Sequence, residues 1–125
     1  MLGNREATAT IAVKNMKAAR QFYEGALGLT EIESGGSGAV SYQTGTARIL
    51  VYESRFAGTN KATAATWMVG NDLEDTVKSL KAKGVPFEHY DLPGSTRHGD
   101  VHVMGNISAA WFKDPDGNIH SLVNR

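Results

Sequence analysis

Residues 111–124 read WFKDPDGNIHSLVN. Asp114, Asp116, Asn118 and His120 crowd into half of that stretch, as they would in a metal loop or in a tight turn. An EF-hand calcium loop needs further oxygen ligands and an acid at its twelfth position. Counted from Asp114, that position is Arg125, which has the wrong charge. Pro115 followed by Gly117 instead describes a short connection between two strands, ISAAWFK (107–113) and NIHSLVN (118–124). Asp114 and Asp116 are expected to accept local backbone N–H groups, and Asn118 tolerates turn geometry. Strand neighbours face opposite sides. Ser121 and His120 therefore part company: His120 is expected on the helix-packed face or at a sheet margin, as a satisfied structural histidine.

The rest of the chain has a repeating order. ATATIAV (7–13) reads as a strand, and Asn15 as the N-cap of a helix. In that helix Met16, Ala19, Phe22, Tyr23, Ala26 and Leu27 share one face, and Gly28 stops it. LTEIES (29–34), GAVSYQT (38–44, after the flexible SGGSG) and ARILVYE (47–53) follow as strands. The second half begins with ATAATWMV (62–69) as a strand. Asn71 or Asp72 then caps a helix with Leu73, Val77 and Leu80 on its apolar face, and Gly84 ends it. VPFEHYD (85–91) reads as a further strand, residues 91–107 as the longest irregular connection, and the two strands around DPDG close the chain. The fold class is α+β, as a duplicated βαβββ unit within one domain over residues 1–125. The first module spans 5–54, the linker 55–61 and the second module 62–125. Neither unit alone buries its sheet well, so the two are expected to pack.

Bulk composition excludes several classes. Thirteen basic and thirteen acidic side chains cancel, with no tail of one sign. That argues against nucleic acid as a partner, since phosphate binding needs clustered Lys and Arg. No apolar run approaches a membrane span. The absence of cysteine removes disulfides, thiolate metal sites and a Cys nucleophile, and fits a reducing cytoplasm.

VKNMKAARQFYEGALGL in the first half and WFKDPDGNIHSL at the end resemble the glyoxalase/bleomycin-resistance/extradiol-dioxygenase proteins, the vicinal oxygen chelate superfamily. The resemblance covers nearly the whole chain. It implies two βαβββ modules with curved mixed sheets around a cleft, often in a homodimer. In the family's enzymes, His and Glu from four strands hold a divalent metal in the cleft. Other members bind a small molecule without metal, the drug-sequestering resistance proteins among them.

Carried onto this chain, the four ligand positions fall at Thr8, Ile49, about Ala65 (or its neighbours Ala64 and Thr66) and Ser121. None is an imidazole or a carboxylate. The expectation is a protein without a metal or other cofactor that binds or sequesters a small organic molecule. Its cleft would be lined by Thr8, Thr10, Ile49, Trp67 and Ser121, with Tyr42 and Trp111 as further candidates. Both tryptophans could equally fill the core. His98 and His102, on the long connection, would add polar contacts, with Arg97 for an anion and Met104 as an apolar contact.

Two alternatives stand beside this reading. One is a lyase or dioxygenase of the family's kind with an atypical metal site at HGDVH, where His98, Asp100 and His102 alternate along the chain and Glu88 and His89 are near in sequence. Such short patterns are common, so solvated polar residues on a glycine-rich loop are the preferred account of HGDVH. The other is an interaction module whose cleft is closed by Trp67 and Tyr42.

Overall fold

The computed structural model describes residues 1–34 and 38–125. The middle of the SGGSG connection lies outside the described residues. The first sheet holds β1 (Ala9–Val13), β2 (Thr30–Ser34), β3 (Ala39–Thr44) and β4 (Ala47–Glu53) in the order β1-β4-β3-β2. β1 and β4 run parallel and the other pairs antiparallel. Between β1 and β2 lies α1 (Met16–Arg20), continued as a π-helical stretch over Gln21–Ala26. Asn15 caps it as expected, its Oδ1 accepting the Ala18 N–H at 3.1 Å. The wider turn is closed by the Leu27 N–H bonding to the Phe22 carbonyl.

The second sheet begins with β5 (Thr63–Met68), which α2 (Leu73–Ala82) follows. Leu73, Val77 and Leu80 are buried as the periodicity requires. The helix starts one turn after Gly70 without a side-chain cap: Asp72 occupies the N-cap position but makes no capping bond, in contrast to the cap expected from Asn71 or Asp72. The remaining strands are β6 (Phe87–Glu88), β7 (Thr96–His98), β8 (Val101–Met104), β9 (Ile107–Lys113) and β10 (Ile119–Val123). Their order is β5-β10-β9-β8-β7.

β6 and β8 lie end to end along one side of β9: Glu88 pairs with Trp111, and His102 with Ala109. Residues 89–100 loop out between them. The region expected to be an irregular connection over 91–107 therefore contains a hairpin, β7–β8, turned at Gly99 and Asp100. Conversely, only two residues of VPFEHYD form a strand.

The edge strands β1 and β5 lie side by side without a ladder. Both helices cover the same side of the sheets. Ile11, Val13, Ala19, Tyr23, Val40, Tyr42, Ile49 and Val51 form one buried cluster there. Leu73, Val77, Leu80, Val85, Val101, Ala110, Phe112 and Leu122 form the other. Phe22, Leu27 and Trp67 pack against both, so the two cores join beneath the helices. The opposite side of the sheets, called here the open face, carries no helix.

The DPDG turn joins the halves. Asp114 Oδ1 accepts the N–H groups of Asp116 and Asn118 at 2.9 and 2.8 Å, which closes the turn. Asp116 Oδ2 accepts the Lys14 N–H, and Asn118 Nδ2 donates to the Ala12 carbonyl at 2.7 Å. A segment that reads as local turn chemistry thus also ties β10 to the end of β1. Gly58 lies against the same turn at φ 74°, where a Cβ would stand 2.1 Å from the Asp116 carbonyl oxygen.

Candidate functional site

Strand register decides which side chains share the open face. In β5 and β10, Thr66 pairs with Ser121, and their hydroxyl oxygens are 2.7 Å apart. Ser121 also pairs with Trp111 on β9, which places that half-buried indole beside it. Trp111 in turn pairs with Glu88, which holds the Lys113 ammonium at 2.9 Å. On the first sheet Thr10 pairs with Leu50. Thr8 and Thr10 are both exposed. Two hydroxyl-bearing strands and one indole therefore share a surface that spans the seam between β1 and β5.

Three of the expected lining residues belong elsewhere. Ile49 and Tyr42 pair with each other and are buried in the core under α1. Counting back from Tyr52 selects Ile49, but the apolar phase of β4 is Ile49 and Val51, and the open-face positions are Arg48, Leu50 and Tyr52. Tyr42 instead donates to Glu24 at 2.7 Å. Burial, and next Glu24, raise its pKa. Trp67 is adjacent to Thr66 in β5 and so points to the helix side, where it meets both cores. A cleft closed by Trp67 and Tyr42 is thereby removed as an account of the open face. At the end of the seam Ile49 and Trp67 do border a depression, together with Ala9, Arg48 and Thr66.

HGDVH folds as a hairpin turn and not as one extended run. Because Gly99 and Asp100 form a turn, His98 and His102 do not continue one extended strand. Arg97, not His98, is the cross-strand partner of His102. His98 is exposed on the α2 side, near Glu74, Lys78 and Lys81. Asp100 is engaged by the Lys81 ammonium at 2.6 Å and His89 Nε2 at 2.7 Å. Those contacts, Lys81 first, lower its pKa. Among the described residues no three His, Asp or Glu side chains gather where they could hold a metal ion.

His102 lies fully buried on the open-face side of β8. Its Nε2 accepts the Tyr90 N–H at 3.0 Å. Trp111 packs edge-on at 5.0 Å between centroids, and the Tyr90 ring lies tilted at 6.3 Å. Tyr90 was not singled out by the sequence, since a loop residue has no periodicity to announce it.

His120 faces the other way and heads a chain of hydrogen bonds. The Trp67 indole N–H donates to His120 Nδ1 at 3.0 Å. An acceptor Nδ1 leaves the proton of the neutral ring on Nε2, which donates to the Tyr23 oxygen at 3.0 Å. Tyr23 then donates to Asp114 Oδ2 at 2.8 Å. The ring stacks on Phe112 at 5.0 Å. Burial pushes the pKa of His120 down to about 4. Burial and the nearby Asp114 carboxylate push that of Tyr23 up. This is the structural role expected for His120, extended by three partners that join α1, β5, β10 and the DPDG turn.

The family model described as the Glyoxalase/Bleomycin resistance protein/Dioxygenase superfamily matches residues 7–121. The chain belongs to this superfamily. Its fold is that of solved members and relatives. An integron cassette protein from the mobile metagenome of a Halifax Harbour sewage outfall aligns with a TM-score of 0.72 and 18% identity, over 97% of this chain and 99% of that one. The fosfomycin resistance protein FosX of Listeria monocytogenes gives 0.71 and 17% over 94% and 90%. Lactoylglutathione lyase of Agrobacterium tumefaciens gives 0.70 and 14% over 96% and 92%. At these identities the likeness establishes the fold. Comparison with curated protein sequences finds no match.

Membership in the superfamily makes the divalent metal of its enzymes the group to test. The strand positions that the resemblance assigns to ligands carry Thr8, Ile49, Ala65 and Ser121. With the register corrected, Leu50 and Thr66 replace Ile49 and Ala65 on the open face. Neutral hydroxyls and an aliphatic chain do not fit a divalent transition metal, which takes imidazole, carboxylate or thiolate ligands. The Thr66 and Ser121 hydroxyls moreover satisfy each other.

Proposed function

We propose that this superfamily member binds or sequesters a small organic molecule on the open face without a metal. The observation that carries the reading is the Thr66–Ser121 hydroxyl pair, on strand positions where the resemblance implies metal ligands, with Trp111 beside it. A flat or apolar body gains area against an indole, and hydroxyls at its edge supply orientation without charge. The resemblance implies resistance proteins that sequester drugs without a metal, and the family description names bleomycin resistance protein.

The reading takes the protein as a homodimer, with exposed Tyr52 and Met68 on the open face available to a second copy. It takes the cytoplasm as the setting, in keeping with the cysteine-free sequence. Among the described residues no helix is long and apolar enough to cross a membrane.

The test is native mass spectrometry of the purified protein for a co-purifying compound, followed by NMR titration of that compound. Shifts centred on Thr66, Trp111 and Ser121 are expected. Shifts centred between the helices, on Leu27, Val69 and Leu80, would move the binding site to the helix side and refute the proposal.

A further inference from the structure

Resting on the reading above, we infer that the open face of the second sheet selects a planar carboxylate, held by His102, Tyr90 and Arg97 with its ring against Trp111. Two buried polar atoms motivate this. His102 is fully buried and its Nε2 accepts the Tyr90 N–H, so the neutral ring carries its proton on Nδ1. That nitrogen has no partner among the described residues. The Tyr90 hydroxyl is likewise buried without a partner. Native structures seldom leave such groups unsatisfied, and two on rings whose centroids are 6.3 Å apart motivate an acceptor that serves both.

The third donor is Arg97, the cross-strand neighbour of His102 and therefore on its face. Arg97 borders an open depression of about 350 Å³ with His89, Tyr90, Asp91 and Ser95. A ring N–H, a phenol and a guanidinium are a surplus of donors, which calls for an acceptor-rich anion. Burial, and then Glu88, raise the Tyr90 pKa and keep the phenol protonated as a donor. Trp111 packs edge-on against both Tyr90 and His102, so its remaining exposed surface is free for a flat ring. Tyr90 stands in the loop between β6 and β7. Its ring is held by no strand ladder, and a ligand's approach to the two buried atoms requires it to move. Asp91 is the acid in the same lining and opposes the anion.

The experiment titrates benzoate and, separately, benzyl alcohol into the isotope-labelled full chain, with NMR of the His102 ring nitrogens and the backbone. Benzoate should bind at least about tenfold more tightly than the alcohol and shift His102 Nδ1 and Tyr90. Tyr90→Phe should weaken benzoate about fivefold to tenfold without lowering Tm, because its hydroxyl has no partner to lose among the described residues. Arg97→Gln should abolish the preference for benzoate over the alcohol, and Asp91→Asn should strengthen benzoate binding. Equal affinity for the two probes, or benzoate binding undiminished in both Tyr90→Phe and Arg97→Gln, would overturn the carboxylate assignment while leaving small-molecule binding intact. Failure of both probes to perturb this face would overturn it too, as would a buried water that alone satisfies both atoms and survives benzoate addition.

Discussion

Replacing Tyr23 with Phe isolates the chain of hydrogen bonds that joins the two halves. The substitution keeps the ring, and with it the edge contact to Phe22 at 5.1 Å and the stack on Tyr42 at 6.1 Å, so it opens almost no cavity. What it removes is one oxygen with two bonds. The bond to the Asp114 carboxylate is charge-assisted, worth about 1.5–3 kcal/mol. The other leaves the His120 Nε2–H buried without an acceptor, at a cost of about 1–3 kcal/mol. Asp114 retains the Asp116 and Asn118 N–H groups and Asn118 Nδ2, which limits the loss. A net destabilisation of about 3 kcal/mol follows. For a chain of this length, that is a fall in Tm of roughly 10 °C. Thermal unfolding followed by circular dichroism, wild type against Tyr23→Phe, measures it. A fall of less than about 2 °C would refute the relay, because it would mean that the phenol oxygen contributes neither bond.

Further outcomes follow from the same geometry. His120 is neutral in the fold with a pKa of about 4, against 6.5 for a free histidine, so the unfolded chain binds its proton more readily. This contribution to stability is fully present above pH 6.5 and is lost as pH falls toward 4, by up to about 3 kcal/mol. NMR of the ring should accordingly show no titration of His120 between pH 8 and about 5, and an inflection near 6.5 would contradict its burial. Gly58→Ala should destabilise by well over about 1 kcal/mol and disturb the amide signals of the DPDG turn, since the new Cβ meets the Asp116 carbonyl. Gly28→Ala, at a similar positive φ but in open space, should cost only about 1 kcal/mol, both glycine variants being measured by chemical denaturation. Asn15→Ala removes the cap of α1 and should cost about 1 kcal/mol, measured in the same way.

The elements that the sequence announced most clearly are those whose side chains obey one period. ARILVYE and ISAAWFK are strands over the expected residues, and the apolar face of α2 is as its spacing requires. The DPDG turn was legible because Pro115 and Gly117 restrict the backbone locally. Its ties to Ala12, Lys14 and Tyr23 were not, because they cross about a hundred residues and leave no local pattern. The candidate site divides the same way. Ser121 was assigned to the cleft face and Trp111 was only a further candidate that could equally have filled the core; the structure pairs the two across β9 and β10. Ile49 was off by one position, and a one-residue slip in a strand exchanges the faces. His98 and His102 were separated by a turn at Gly99–Asp100 that the alternation argument had treated as extended chain. Tyr90 went unnoticed because its importance comes from a loop excursion that returns it to His102.

Metal dependence of ligand binding tests the central claim most directly. The co-purifying compound, or benzoate in its place, is titrated into the protein before and after exhaustive EDTA dialysis, with metal content determined on the same samples. The account predicts far less than one equivalent of zinc, nickel, manganese or iron per chain, and an affinity unchanged by EDTA. One equivalent of such a metal, with binding lost on chelation and restored on readdition, would contradict it.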